Sequence, residues 1–323
     1  METRSKFFIP VLLVLILVIV STAAAPAALT TSAAESGEVW CNTEGVMTVL
    51  LLGTDHRSRT YRYGLADSIM VFRIDFDAPS VRVLSIPRDL WVYVPGIEDD
   101  IDTDHTKLNT AYLYGTEEMG FNPDAGGGAG LMALTLKENW GLEVDHTAVV
   151  SMTVFADVVR AIGGIEVYNP SPVYSHRHKN KPMYPAGGYF FDGKDAQLYA
   201  RYRDPRNEVD RVDRHSVVIK AVIDSLFQPD TVPHIPELIS AYRDNVVTDL
   251  KLSHLSQLLC LASQRDEVDV AFGRIPKDDL QGTRTYFPPF NATVYNLVEK
   301  EEGRIEEIVS LFQAGEWPPD TGE

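Results

Sequence analysis

Runs of apolar residues separated by turn residues divide the chain into alternating strand and helix segments. Residues 46–52 form a nearly continuous apolar run, which is typical of a strand buried on both faces. The same pattern predicts further strands at residues 68–76, 80–86, 91–95, 144–152, 165–168 and 268–275. It predicts helices at residues 131–140, 154–162, 194–199, 212–227 and 294–312. Because the two element types alternate, we expect a single large α/β/α domain with a mixed, largely parallel central sheet.

Residues 1–34 have the pattern of an export segment. Arg4 and Lys6 precede an uncharged apolar run of 14 residues, 7–20, and small residues follow. That length suits the apolar region of a cleaved signal peptide, whereas counting the alanines through Leu29 gives 23 residues, enough for a retained membrane anchor. In either case the basic residues at the inner end place the rest of the chain outside the cytoplasm.

One folded unit is expected after this segment. The predicted division is a signal peptide or anchor at 1–34, a linker at 35–45, one α/β domain at 46–315 and a tail at 316–323. Within the domain, the clearest patterns lie in a core of residues 48–226, and residues 230–315 carry weaker ones.

Composition and charge narrow the function classes. With 45% hydrophobic and 23% charged residues, the chain has the composition of a globular protein, which excludes a wholly disordered one. Its 29 basic and 46 acidic residues give a net charge of −17, which argues against binding to nucleic acid or to anionic lipid through charge. Cys41 and Cys260 are too few for a disulfide scaffold and form no zinc motif. After export the two thiols are expected to pair, although the apolar surroundings of Cys260 also suit a buried thiol.

Two carboxylates lie at the ends of neighbouring predicted strands. Asp55 follows the 46–52 run, at the carboxyl end of a strand, where ligands of open α/β sheets usually bind. Asp67 begins the next strand, and a hairpin-like return would bring the two together. Paired carboxylates suit a phosphate-bound Mg²⁺ or Mn²⁺ ion, which keeps water ligands and takes only one or two protein groups. A turn aspartate and a strand cap are the alternative interpretation.

A third strand end carries Arg88 and Asp89. Pro87 stops strand pairing there, so Arg88 is expected to project into the same crevice, with Asp89 available to orient it. A surface Arg–Asp pair is the alternative. Lys107 follows an acidic loop, where it is either a phosphate contact or a solvated lysine.

The strongest local signal is a cluster of basic residues between positions 201 and 220. Its members are Arg201, Arg203, Arg206, Arg211, Arg214 and Lys220. Pro205 disfavours helix just before it, so residues 199–203 are expected to extend and to point Arg201 and Arg203 the same way. Guanidinium groups bind phosphate with two parallel hydrogen bonds, and several together suit a diphosphate. Ion pairing with nearby acidic residues is the alternative.

Taken in order, these motifs resemble the LytR-CpsA-Psr family of cell-envelope glycopolymer phosphotransferases. The matching segments are residues 51–57 (LLGTDHR), 67–70 (DSIM), 84–89 (LSIPRD), 107–112 (KLNTAY), 161–167 (AIGGIEV), 191–196 (FDGKDA), 199–203 (YARYR) and 210–214 (DRVDR). Each motif is short, and the resemblance depends on their order and spacing over residues 48–226.

The resemblance implies a membrane-anchored, extracytoplasmic enzyme. Proteins of this family transfer glycopolymers such as teichoic acids from polyprenyl-diphosphate carriers onto peptidoglycan. A peptidoglycan hydroxyl would attack the sugar-linked phosphorus, polyprenyl phosphate would leave, and helices over the sheet would wall an apolar tunnel for the lipid. The rival interpretations are a hydrolase that uses water at the same site and a non-catalytic prenyl-phosphate or glycan sensor that attenuates transcription.

The resemblance also implies roles for individual residues. The implied ligands of Mg²⁺ are Asp55 and Asp67. The implied diphosphate-binding residues are Arg88, Lys107, Arg201, Arg203, Arg211 and His215. Of these, Arg88, Arg201 and Arg203 are expected to act in catalysis, and Asp89 is a candidate to accept the hydroxyl proton. His215 stands where the family commonly has glutamine; an imidazole can still donate one hydrogen bond, with an altered pH dependence.

Overall fold

The computed structural model describes residues 44–55, 63–174, 181–202, 210–226, 247–251, 253–254, 257–258, 261 and 268–318. The predicted export segment, nearly all of the predicted linker, both cysteines and Arg203 lie outside these ranges. In the part of the chain that is described, no helix is long and apolar enough to cross a bilayer.

Strands and helices alternate along the described chain. The strands are β1 Val46–Thr54, β2 Ala66–Asp75, β3 Ser80–Ser85, β4 Trp91–Tyr93, β5 His105–Lys107, β6 His146–Ser151, β7 Ile165–Asn169, β8 Val173–Tyr174, β9 Pro182–Tyr184, β10 Gly187–Phe191, β11 Val247–Thr248, β12 Asp269–Arg274, β13 Leu280–Phe287 and β14 Ala292–Glu299. The helices are α1 Glu98–Ile101, α2 Leu108–Tyr114, α3 Gly127–Trp140, α4 Met152–Ala161, α5 Gly193–Arg201, α6 Asp210–Leu226 and α7 Arg304–Ala314.

Six strands form the central sheet, in the order β11-β6-β1-β2-β3-β12. β1 pairs with β6 and β3 pairs with β12 in parallel, whereas the pairs β1–β2, β2–β3 and β6–β11 are antiparallel. The sheet is therefore mixed, as predicted, but among the described strands its antiparallel pairs outnumber the parallel ones. The short turn at residues 76–79 explains one of them, because only antiparallel neighbours can be joined so tightly.

The central strand β1 is buried on both faces because a layer of helices covers each side of the sheet. Leu50 and Leu52 pack with α2, α3 and α7 on one side. Val49 and Leu51 pack on the other side with residues of α6 and with Leu258. The continuous apolar run in the sequence thus reflects the α/β/α layering that the sequence predicts.

A third apolar cluster joins the peripheral β7–β10 hairpin to α4, α5 and α6. Tyr199 of α5 is fully buried there, and its hydroxyl donates a hydrogen bond to Asn169 Oδ1 at 2.7 Å. Burial raises the pKa of Tyr199 to about 12, so this hydroxyl keeps its proton and its hydrogen bond at neutral pH. The cluster thereby anchors α5, the helix that ends in Arg201.

The C-terminal segment differs from the predicted helix over residues 294–312. Its first part is strand β14, which pairs antiparallel with β13 from Leu280↔Glu299 to Phe287↔Ala292. Helix α7 begins only at Arg304, after Gly303 at φ 85°. The prediction was wrong because the β-branched and aromatic residues of this segment favour an extended backbone, and the glycine separates the two elements.

The glycine-rich stretch before α3 allows two helices to touch. Gly128 lies against Tyr112 of α2, where an added Cβ would overlap the Tyr112 carbonyl oxygen and ring. Gly126, which precedes the helix, has φ +83°, a conformation that favours glycine. These glycines bring α2 close to α3 and so hold the segment that begins with Lys107.

Candidate functional site

The β1–β2 hairpin brings the two predicted metal-binding carboxylates to the same end of the sheet. Asp55 follows β1, and Asp67 lies at the start of β2, which runs back antiparallel beside it. The backbone N–H of Asp55 donates to the Leu65 carbonyl at 3.1 Å, and Leu65 N–H donates to Asp55 Oδ1 at 2.9 Å. A register shift between Gly53 and Thr54 loosens the ladder at this point. The hairpin-like return expected from the sequence is present.

Arg88 lies between two carboxylates just beyond the end of β3. Its Nη1 forms an ion pair with Asp67 Oδ1, and its Nε lies 3.3 Å from Asp89 Oδ2. The Arg88 side chain is 11% exposed, so the guanidinium is largely shielded from water. Arg88 therefore lies beside Asp67 at the strand ends, and Asp89 is in place to orient it, as predicted.

Lys107 completes the chain of charges. Its Nζ lies 2.9 Å from Asp89 Oδ1, so both Asp89 oxygens accept from cations. Two backbone bonds hold the segments together: Leu108 N–H donates to the Leu90 carbonyl at 2.8 Å, and Asn109 N–H donates to the Arg88 carbonyl at 3.0 Å. Lys107 is therefore not the freely solvated lysine that the sequence allowed as an alternative.

Electrostatics explain why these four side chains occur together. Asp67, Arg88, Asp89 and Lys107 supply two positive and two negative charges that are largely shielded from water. A buried charge loses its hydration and needs a partner, so the alternation of sign stabilises each member. The arrangement can present a guanidinium and an ammonium to an anionic ligand while each charge keeps a partner of opposite sign.

Arg201 lies on a different element than expected. It is the last residue of α5 rather than part of an extended segment, and the backbone becomes extended only at Tyr202. The helix starts at an Asp192 cap, which accepts from the backbone N–H groups of Lys194 and Asp195 at 2.8 Å each. A cation in the last turn of a helix is favoured by the helix dipole, which explains the longer helix. Arg201 is half-buried.

Arg214 is a member of the basic cluster to which the sequence assigned no role. It is 4% exposed, and its Nη2 donates to the Tyr202 carbonyl at 2.5 Å. Arg214 therefore ties α6 to the segment that follows Arg201. Its place in the basic cluster was the only signal, because a linear sequence does not show that an arginine binds a backbone carbonyl.

His215 is buried beside the same segment. It is 6% exposed, and its Nε2 lies 3.0 Å from the Ala200 carbonyl, an acceptor, so this nitrogen carries the proton. Burial lowers the pKa of His215 to about 4; the nearby Asp67 charge opposes this effect, and those of Arg214 and Arg88 add to it. The imidazole is therefore neutral at pH 7. The hydrogen bond that we expected it to donate to a phosphate is instead made to Ala200.

Helix α6 connects the end of α5 with the strand that leads to Arg88. Ser216 Oγ lies 3.4 Å from Ser85 Oγ at the end of β3. The neighbouring His215 bonds to the carbonyl of Ala200, the residue before Arg201. The end of α5 and the end of β3 are therefore joined through one turn of α6.

Two predicted arginines are not placed by these contacts. Arg203 lies outside the described residues, and of Arg211 only the helical backbone in α6 is described. Their roles as diphosphate ligands stay predictions.

The carboxylates present fit a magnesium ion that is bound mainly by its substrate. Within the described ranges there is no group of three or more His, Cys, Asp or Glu side chains that could enclose a metal. Asp55 and Asp67 are two hard oxygen donors at one sheet edge, and Mg²⁺ on phosphate substrates takes only one or two protein carboxylates.

Comparison with known proteins gives relatives over most of the chain. The model of the LytR_cpsA_psr family matches residues 14–305. A protein of Enterococcus faecalis named polyisoprenyl-teichoic acid–peptidoglycan teichoic acid transferase TagU is 26% identical over 257 residues, 79% of this chain and 76% of that protein. A protein of the same name from Oceanobacillus iheyensis is 30% identical over 65% of this chain and 61% of its own length. The chain thus spans less than two thirds of the second relative.

Solved structures share the fold. The crystal structure of TagV from Bacillus subtilis matches with a TM-score of 0.59 at 22% identity, covering 84% of this chain and 97% of that one. A structure described as TagT bound to LI-WTA matches with a TM-score of 0.58 at 21% identity, covering 87% of this chain and 94% of that one. The family model spans nearly the whole described domain together with the motifs that line the cleft. This chain therefore belongs to the LytR-CpsA-Psr family.

Proposed function

We propose that this protein is an extracytoplasmic phosphotransferase that moves a glycopolymer from a polyprenyl-diphosphate carrier onto peptidoglycan. The observation that carries the proposal is the chain of ion pairs from Asp67 through Arg88 and Asp89 to Lys107, at the start of β2 and the end of β3. The relatives named as teichoic acid transferases support the same activity.

The cations of the cleft bind the carrier diphosphate. Arg88 and Arg201 supply guanidinium groups, and Arg203 and Arg211 add to them from the neighbouring segment. Phosphoryl transfer requires above all that charge on the phosphates be neutralised, and fixed guanidinium groups in a partly dry cleft meet this need. Because the whole chain carries a net charge of −17, a diphosphate is attracted only by such local cations.

The reaction exchanges one phosphorus–oxygen bond for another. A hydroxyl of peptidoglycan attacks the sugar-linked phosphorus, the bond from this phosphorus to the bridging oxygen breaks, polyprenyl phosphate leaves with that oxygen, and the hydroxyl proton is released to solvent. Both oxygens of Asp89 already accept from Arg88 and Lys107. We therefore assign Asp89 the role of positioning these two cations and no longer that of proton acceptor.

Asp55 and Asp67 are the residues that would hold Mg²⁺ or Mn²⁺. When bound, such an ion supplies positive charge to the diphosphate oxygens. Asp67 would then serve both the ion and Arg88, since its carboxylate already pairs with that guanidinium. Metal dependence is part of the proposal.

The partners and location follow from the same activity. The lipid carrier lies in a membrane and peptidoglycan lies outside it, so the domain acts on the outer side of the cytoplasmic membrane. Residues 1–34 would anchor the protein there, or direct its secretion if they are cleaved.

Product analysis tests the proposal. The purified full chain is mixed with Mg²⁺, a short-chain polyprenyl-diphosphate glycan and peptidoglycan oligomers. Transfer predicts a phosphodiester-linked glycan–peptidoglycan product and polyprenyl phosphate in equal amounts. Release of free glycan phosphate without transfer would indicate a hydrolase, and tight binding of the lipid without turnover would indicate a sensor.

A further inference from the structure

The outer face of the β7–β10 hairpin carries an open groove with exposed aromatic rings. The groove has a volume of about 500 Å³ and is lined by Glu166, Val167, Tyr168, Gly188, Tyr189 and Phe190. Tyr168 is 71% exposed and Phe190 is 66% exposed, which is unusual for side chains of this size. Sites for small ligands have volumes of this order and combine apolar walls with a few polar groups.

The strand register places four side-chain positions on this face. Tyr168 lies opposite Gly188, and Glu166 lies opposite Phe190. Since Gly188 has no side chain, one side of the Tyr168 ring is left uncovered. Tyr168 and Phe190 occupy diagonal positions on this face, and the Phe190 ring leans over Gly164 rather than over Gly188. The face therefore offers two exposed rings, open space beside Tyr168 and a carboxylate alongside.

The hairpin beneath these rings is held firmly. Its inner side chains, including Ile165, Val167 and Phe191, are buried in the cluster with α5 and α6. The Phe190 ring lies against the backbone of Gly164, which has φ +112° and no side chain to displace it. The exposed rings thus stand on a packed support, and a ligand that binds them has little ordering cost to overcome.

We infer that this groove binds an uncharged saccharide strand, the glycan of the peptidoglycan acceptor. A pyranose ring has an apolar C–H face that stacks on an aromatic ring, and hydroxyl groups at its rim that donate to a carboxylate such as Glu166. Glu166 is exposed, so its carboxylate can accept hydrogen bonds from such hydroxyl groups. The inference rests on the proposed function only for the identity of the strand.

Charge decides between this ligand and the alternatives. Aromatic residues also occur where proteins contact membranes, but such surfaces are accompanied by lysine and arginine. Among the described residues that line this groove, the charged one is Glu166, and its carboxylate disfavours an anionic membrane surface or an anionic polymer at this place. An uncharged saccharide meets no such repulsion.

The groove is separated from the reaction site by one helix. The inner face of the hairpin packs on α6 through Val218 and Val222, and Ser216 of the same helix contacts β3 near the ion pairs. A strand bound in the groove is therefore held on the same domain as the reaction site, while its reacting sugar lies elsewhere. The groove adds affinity for the acceptor without entering the chemistry.

Calorimetric titration of the full chain in detergent with a soluble tetramer of β-linked N-acetylglucosamine tests the inference. Gly188→Val fills the open space beside the Tyr168 ring without removing a ring. The fold should accept this change, because no atom lies within 4 Å of an added Cβ and the backbone needs no positive φ. Gly188→Val and Tyr168→Ala should each weaken binding about 3- to 10-fold. Tyr286→Ala, which removes a 57% exposed ring from the β13–β14 hairpin, should change it less than about twofold.

Two results would overturn the inference. The first is that the wild-type protein does not bind the tetramer. The second is that the Gly188→Val and Tyr168→Ala variants bind it as tightly as the wild-type protein does. Equal unfolding midpoints of the variants exclude a folding defect, and Glu166→Gln gives a third variant if one of them does not fold. Loss of vesicle binding or of self-association, with saccharide binding unchanged, would assign the face to a membrane or to a second copy. Because the titration needs no lipid donor, its failure leaves the transfer activity to be judged separately.

Discussion

Arg88 contacts Asp67 and Asp89 at once, and this position makes a single side chain central to the site. Without it, two carboxylates would share a partly buried cleft with Lys107 as the one remaining cation of the ion-pair chain. A carrier diphosphate would then meet repulsion where the wild-type protein offers a guanidinium. The effect of removing Arg88 therefore combines a lost phosphate contact with newly exposed negative charge.

Arg88→Ala should lower kcat/KM for transfer about 10- to 150-fold, the range expected for the loss of a charge-assisted hydrogen bond. Arg88→Lys should also be impaired, because an ammonium keeps the charge but loses the planar fork that contacts two groups. Steady-state kinetics with the lipid donor measure both effects.

Arg82→Ala is the matched control. Arg82 lies on the same strand, β3, but pairs with Asp269, whose side chain is 70% exposed. Such surface pairs contribute little, so transfer should change less than about twofold. Normal transfer by Arg88→Ala, or equal damage from both substitutions, would show that the phosphate site lies elsewhere.

His215 makes stability depend on pH. Its pKa is about 4 in the folded protein and near 6.5 in an unfolded chain, so the unfolded state takes up the proton first as pH falls. The stability that the neutral ring contributes is complete above about pH 6.5 and is lost as pH falls toward 4, by up to about 3 kcal/mol.

His215→Gln should remove this dependence, because an amide can still donate to the Ala200 carbonyl but does not titrate. Urea unfolding at about pH 7 and pH 4.5 measures the difference in unfolding free energy. If both proteins lose the same stability between these values, another group causes the acid sensitivity.

Asp55 tests the metal proposal separately from lipid binding. Asp55→Ala should abolish the increase in transfer rate on adding Mg²⁺, whereas binding of the lipid donor should persist because the arginines remain. Rates and binding are measured at several Mg²⁺ concentrations. A variant that still responds to Mg²⁺ as wild type does would remove Asp55 from the metal site.

At the scale of elements, the approach of α2 and α3 holds Lys107 in place. A glycine-to-alanine change inside a helix usually stabilises by about 1 kcal/mol, but at Gly128 the new Cβ would overlap Tyr112. Gly128→Ala should therefore destabilise the fold by about 1–3 kcal/mol in urea unfolding. Gly188→Ala, with open space around the new methyl, should not destabilise it. Stabilisation by Gly128→Ala would contradict the packing described.

The sequence predicts elements well where one pattern acts alone. The apolar run 46–52 became β1 because the strand is covered on both faces, and the strand and helix that follow residue 144 lie within a few residues of their predicted bounds. The prediction failed at residues 294–312, where a strand and a helix of similar composition adjoin. The composition of residues 294–299 does not show that these residues pair with β13, which is a separate strand earlier in the chain.

In the candidate site, too, local patterns predicted positions correctly, whereas contacts between elements were missed. Local motifs predicted that Asp55, Asp67 and Arg88 lie at one end of the sheet, because each follows or begins a strand there, and the structure places them at that end. The bonds of Arg214 to Tyr202 and of His215 to Ala200 were not predicted. They join α5 to α6, and a contact between two elements depends on packing that a linear pattern does not contain.

At the scale of the whole molecule, the net charge and the location of the cations act in opposite directions. The chain carries −17 overall, yet Arg88 and Lys107 lie together in one chain of ion pairs just beyond the end of β3. Long-range repulsion weakens the attraction of any anion, so local cations such as these must supply the attraction for the proposed diphosphate. This combination suits the proposed reaction, in which the protein binds the diphosphate of a lipid carrier.

The fate of oxygen in the reaction tests the central claim most directly. The transfer reaction is carried out in water enriched in heavy oxygen, with a polyprenyl-diphosphate glycan and peptidoglycan oligomers. The masses of the products are then measured by mass spectrometry. If a peptidoglycan hydroxyl attacks the sugar-linked phosphorus, the new phosphodiester contains no oxygen from the solvent. Heavy oxygen in the glycan phosphate would show that water is the nucleophile, and the protein would then be a hydrolase rather than a transferase.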